Sequence, residues 1–168
     1  MLRRPITADE LAILFHDIGA CIWHMQYLED VLHTFLALKV DLRVPGAVAE
    51  EEAKRLLAKH RRGTLGTSIR TAKTNGALPT SLLETLEKLK DERDWLVHRS
   101  WNEDGDGLYT DEGRIYIFER IRGIEQRIKD VKAEIVKELE QFCTALGVSV
   151  PQAEALAVKQ VRALRGES

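Results

Sequence analysis

The chain has no long hydrophobic run. Its longest apolar stretches, such as Leu11 to Phe15, span a few residues, whereas a hydrocarbon layer requires about 20, so no membrane helix is expected. Cysteine is scarce: Cys21 and Cys143 are the two thiols in 168 residues. They lie far apart within helical pattern and form no redox motif, which points to a reduced compartment and packing roles rather than a disulfide. No glycine-rich loop follows a strand pattern and no Gly-x-Ser-x-Gly elbow occurs, so nucleoside-triphosphate and serine-hydrolase chemistry have no motif here. Arg3 and Arg4 are followed by Asp9, Glu10, His16 and Asp17, which a secretory apolar region would not contain, so a cytoplasmic protein is expected.

What the chain does have is 44% hydrophobic and 31% charged residues, enough for one domain with a core, which excludes disordered and collagen-like readings. A net charge of −2 argues against a generic nucleic-acid binder, but it averages over an uneven distribution. Lys54, Arg55, Lys59, Arg61, Arg62, Arg70 and Lys73 are interrupted by no acid, while Glu103 to Glu112 holds five acids and no base.

Apolar periodicity predicts an all-α up-and-down bundle. A first long helix opens at a Thr7/Glu10 capping box and carries Leu11, Leu14, Ile18, Cys21, Met25, Leu28, Leu32 and Phe35 on one stripe. Extra apolar positions at Phe15, Ile22 and Val31 widen that stripe, and the helix is expected to end before Pro45-Gly46. A second helix over 50–60, with Leu56 and Leu57 inward, and a short one over 67–74 follow. The next starts near Pro79, capped by Ser81 and Glu84, with Leu82, Leu86, Leu89, Leu96 and Val97 on a stripe that Arg93 interrupts. Residues 102–113 read as an acidic loop, with a small hairpin of 108–110 and 114–117 around Gly113. A long helix over about 117–146, antiparallel to the first, and a terminal one over about 151–164 complete a single domain.

The informative string runs from Asp91 to Trp101: Asp-Glu-Arg-Asp-Trp-Leu-Val-His-Arg-Ser-Trp. Arg93 and His98 differ by five positions, about 7.5 Å of rise and about 140° of rotation on an α-helix, so one helix does not make them converge. Two copies at a twofold axis would. Asp94 and His98, four apart, are expected to be neighbours, the carboxylate holding one imidazole nitrogen. A histidine can serve as acid or base near neutrality, and an arginine fork suits phosphate geometry. The structural alternative is that Arg93 pairs with Glu92, Asp94 or another helix and that His98 is simply a polar helix-end group.

An arginine four residues clear of a histidine near a helix end, behind a long first helix and a Thr64-Leu65-Gly66 segment, resembles the motif of HEPN domains over roughly residues 7–101. The resemblance implies a four- or five-helix bundle that dimerises and a metal-independent ribonuclease of the kind found in toxin–antitoxin pairs and defence systems. Arg93 and His98 take its two motif positions, and Asp94 takes a polar position more often filled by Asn. On this reading Lys54, Arg55, Arg61, Arg62 and Arg99 contact RNA, an antitoxin or other protein is a partner, and no cofactor or metal is used. The alternative is a non-catalytic helical module that grips a protein, nucleotide or RNA through the same face.

Weaker signals point elsewhere. Asn102, Asp104, Asp106 and Gly107 match early positions of a calcium loop, but Gly113 stands where the closing Glu is needed. His16, Cys21, His24 and His33 lie on the first helix without a zinc signature. Trp23, Trp95 and Trp101 are expected in core or interface.

Overall fold

The computed structural model describes residues 3–43 and 48–166. Helix α1 (Ala8–Leu36) runs on into a π-helical turn, Ala37–Leu42. It is followed by α2 (Glu50–Arg61), α3 (Leu65–Thr74) and α4 (Thr80–Asp94). A second π-helical turn, Trp95–Arg99, leads into α5 (Ser100–Asp104) and a 3-10 turn, Gly105–Tyr109. The long α6 (Asp111–Ala145) and α7 (Val150–Leu164) close the chain, and no strand occurs among the described residues. The all-α bundle expected from periodicity is the fold. The expected stop at Pro45-Gly46 falls outside the described residues.

Capping fixes the start of α1 as the sequence predicts. The Thr7 hydroxyl accepts from the Glu10 amide at 3.2 Å, and the Glu10 carboxylate accepts from the Thr7 amide at 2.8 Å. Arg4 donates two further hydrogen bonds to that carboxylate, and together these hold the Glu10 carboxyl well below the usual carboxylate range. The Ser81/Glu84 box does not form: α4 starts two residues earlier, with Pro79 in the cap position and no side-chain cap. Proline's fixed φ already orients that entry. At the far end of α6, Gly147 takes a left-handed φ of 76°, and the Val148 amide bonds the Cys143 carbonyl at 3.0 Å, which closes the helix in a Schellman turn.

The core joins one stripe each of α1, α4 and α6, with α3 laid over one end. Leu28 and Leu32 of α1, Leu86 and Leu89 of α4, and Ile121, Ile124 and Ile128 of α6 are fully buried together. Each such side chain contributes about 1.5–3 kcal/mol by leaving water. The two longest helices are parallel, which corrects the expected antiparallel pairing. Their cross-contacts ascend together: Glu10 with Arg114, Asp17 with Arg122, and His24 with Glu125. The intervening α4 makes the return run, with Glu92 meeting Arg127 and Trp95 meeting Arg120, so α1 and α6 both point the same way.

The hairpin and the acidic loop are also corrected, because residues 100–109 are helical and α6 begins six residues before the expected 117. The Thr110 hydroxyl accepts from the Gly113 amide at 3.1 Å and caps the helix, while Asp111 and Glu112 sit at its positive end. Gly113 serves close approach rather than a left-handed turn: a Cβ there would lie 2.3 Å from the Gly107 carbonyl oxygen. Arg114, 3% exposed, ties this junction to the chain start by bonding the Leu108 carbonyl at 2.7 Å and pairing with Glu10 and Asp111.

Two stability effects follow. Gly113→Ala should lower unfolding free energy by more than about 1 kcal/mol in urea, although alanine is the better helix former by about that amount. Gly19→Ala, in mid-α1 with nothing within 4 Å of the added carbon, should raise it. Equal effects from the two would remove the close-approach explanation. His33 is 4% exposed, its Nε2 has no partner among the described residues, and burial lowers its pKa from the ordinary value of 6.5. Below about pH 6.5 the unfolded chain therefore takes up a proton that the folded chain refuses, and stability falls until folded His33 is itself protonated. His33→Leu should flatten that decline in unfolding curves recorded between about pH 7.5 and about pH 5.5.

Candidate functional site

The motif lies where α4 changes register. Across Trp95–Arg99 the Ser100 amide bonds the Trp95 carbonyl five residues back, a widened turn of a kind often found at functional sites. Trp95 anchors it. Its ring is 1% exposed, its Nε1 donates to Asp104 at 2.8 Å, and the Arg120 guanidinium lies 3.5 Å over the ring while donating to the same carboxylate at 3.0 Å. Residues from α5 and α6 thus clamp the inner side of the turn and leave Val97, His98 and Arg99 on its outer side, exposed.

The widened turn narrows the angle between Arg93 and His98 compared with a continuous α-helix, yet no hydrogen bond or ion pair joins them among the described residues. Arg93 turns toward α1. Its Nε lies 3.6 Å from Glu29 and its Nη1 3.5 Å from Asp94, and the guanidinium makes no hydrogen bond among the described residues. The expected Asp94–His98 contact does not occur among the described residues; Asp94 lies 3.5 Å from Arg93 instead. His98 stands in solvent with no partner among the described residues.

Arg93 and Glu29 line a cavity of about 270 Å³ between α1 and the end of α4. Cys21, Met25 and Leu96 are its buried residues, Ile22 and Val97 are partly exposed at its edge, and Gln26 adds an amide. Burial raises the Glu29 carboxyl above its ordinary pKa, with Arg93 opposing, and the Cys21 thiol is pushed up to about 12, chiefly by burial. Cys21 is therefore an inert wall.

The basic stretch is largely neutralised. Lys54 pairs with Glu50 and Glu51, Arg55 with Glu52, Lys59 with Asp41, and Arg61 with Asp30. Its acid-free appearance ended one turn upstream, at Glu50 to Glu52. Arg99 folds back onto Glu103 and the Asp91 carbonyl. Arg62, Arg70 and Lys73 are exposed and make no ion pair among the described residues. The calcium-loop residues are dispersed, with Asp104 committed to Trp95 and Arg120, and the described residues hold no group of three or more His, Cys, Asp or Glu that could hold a metal. Phe15 and Trp101, 64% and 74% exposed, leave an apolar surface beside the motif turn.

Glu29, Gln26 and the Trp95–Asp104–Arg120 clamp were not expected from the sequence. Phe15, Ile22 and Glu29 share a seven-residue spacing, so Glu29 interrupts the second stripe of α1 as Arg93 interrupts that of α4. The two interruptions face each other.

Asp104→Ala should cost about 2–3 kcal/mol in chemical unfolding, since an indole N–H and a guanidinium lose a charged acceptor. Asp106→Ala, exposed and two residues away, should stay within about 0.5 kcal/mol. Similar values for both would remove the clamp. No family model, curated protein or solved structure matches the chain.

Proposed function

We propose that this chain is a HEPN-like RNA-binding protein that cleaves RNA without a metal ion, in a twofold dimer whose composite site draws Arg93 and His98 from both copies. The observation that carries this reading is His98: an exposed imidazole, without a partner among the described residues, on a clamped, widened turn that directly follows the helix end bearing Arg93. One His98 takes the proton of a 2′-hydroxyl, the freed oxygen attacks the adjoining phosphorus, and the 5′-oxygen leaves with a proton from the other His98. Arg93 holds the charge that builds on the phosphate oxygens. Arg93 and His98 do not meet within one copy, which is what a shared site across an isologous axis accommodates. Arg62, Arg70 and Lys73 replace Lys54, Arg55 and Arg61 as the cations available to phosphates.

A second reading is supported by the apolar surface at Phe15, Ile22, Val97 and Trp101, all exposed beside the motif. It is a binding module that grips an antitoxin or another protein there and performs no chemistry.

Cleavage of a labelled RNA should survive a chelator, follow a bell-shaped pH profile, and vanish in His98→Ala with RNA affinity and dimer mass nearly unchanged. Neutralising Arg70 and Lys73 should flatten the salt dependence of RNA binding, while neutralising Lys54 and Arg55 should not. Cleavage that persists in His98→Ala, or that demands a divalent ion, rejects the mechanism. Absence of cleavage alongside intact partner binding favours the module.

A further inference from the structure

Several partly buried carboxylates of this chain are closely held. Glu10 takes two hydrogen bonds from Arg4, Asp104 is bonded by Trp95 and Arg120, and Glu92 by Arg127. Glu29 is held more loosely: 21% exposed, it accepts no hydrogen bond among the described residues, and its ion-pair partner, Arg93, stands 3.6 Å away and makes no hydrogen bond among them either. Both line the cavity of about 270 Å³, where the Gln26 amide is the other polar side chain and Cys21, Met25 and Leu96 supply apolar surface. Apolar walls with a few convergent polar groups suit a flat ligand that carries polar edges.

We propose that this cavity is a guanine-selective base subsite, with the Glu29 carboxylate accepting the N1–H and N2–H groups of the base, the Gln26 amide donating to its O6, and Arg93 left on the adjoining phosphate. The subsite deepens the RNA reading above and rests on it for the role of Arg93. The selectivity follows from the inventory of base edges. A carboxylate only accepts, and guanine presents two neighbouring donors beside one acceptor. Adenine turns the N1 lone pair toward the same position, uracil offers one donor between two carbonyls, and cytosine places an acceptor beside its amino group. Each of these leaves an unpaired lone pair against the carboxylate, the kind of mismatch a polar site rejects most strongly. The phosphate draws Arg93 away from Glu29 as the base arrives, so the loose ion pair is exchanged for two sets of hydrogen bonds.

Calorimetric titration of the full chain with the monophosphates GMP, IMP, AMP, CMP and UMP tests this. GMP should bind about tenfold or more tighter than AMP, and IMP, which lacks the N2 amino group, should fall between them. Glu29→Gln should bring GMP and AMP to within about twofold of each other, while Arg93→Ala should weaken all five and leave their ratios unchanged. Equal affinities of wild type for GMP and AMP, or a preference that survives Glu29→Gln, overturn the subsite, as does failure of every nucleotide to bind at millimolar concentration. If Glu29→Gln does not fold, Val97→Trp, which fills the cavity edge from an exposed position, should abolish the GMP preference. Titration with a guanine-containing and an all-adenine ribo-oligonucleotide separates the sources of the base. Tighter binding of the guanine oligonucleotide places the base within RNA. Guanine-selective binding of mononucleotides without RNA affinity supports the subsite for a free nucleotide and removes the RNA reading. RNA binding without base preference removes the subsite and leaves that reading standing.

Discussion

Burial of Trp95 is the constraint on which the motif region depends. The stripe of α4, at Leu82, Leu86 and Leu89, projects in unbroken α register through position 93, not 95. Seating the indole in the core goes with a widened turn just past Arg93, which leaves His98 outside. An indole buried without an acceptor for its N–H would be costly, which is why Asp104 and, over it, Arg120 belong to the same arrangement. Removing any one of the three would loosen the backbone that presents the motif residues.

The bundle was legible because long amphipathic stripes with clear caps leave few alternatives. Thr7 with Glu10 and the Gly147 stop are local signals, and they act locally in the folded chain. Direction was not legible: periodicity specifies which face of α1 or α6 is buried and is silent on which way the partner runs. The acidic segment misled for a related reason. Its glycines suggested turns, yet Gly107 and Gly113 are there so that two backbones can touch, a requirement set by tertiary packing. At the site, Arg93 stood out as a break in a stripe, whereas Glu29 gained meaning only once α1 and α4 were laid together.

Charge shows the same division between local and non-local information. Two of the four Lys and Arg of the second helix, Lys54 and Arg55, are matched by acids three or four residues away, so their apparent surplus dissolves within one or two helical turns. Arg61 and Lys59 instead reach Asp30 and Asp41 of the first helix and its π-helical extension, and thereby hold α2 against them. What is left over for an outside anion is a smaller set on and before α3, at Arg62, Arg70 and Lys73.

The parallel pairing of α1 and α6 has a consequence for how the chain assembles. Asp17 and Arg122 are 105 positions apart, and their helices share the largest part of the core. A bundle of sequential hairpins closes through short loops, but here most of the chain must be in place before the two longest helices can meet, and loop closure on that scale slows folding. During synthesis the apolar stripe of α1 therefore waits, covered at best by α2 to α4, until α6 emerges. Until α6 arrives, α1 is an extensive unpaired hydrophobic surface that a chaperone or a neighbouring nascent chain would find.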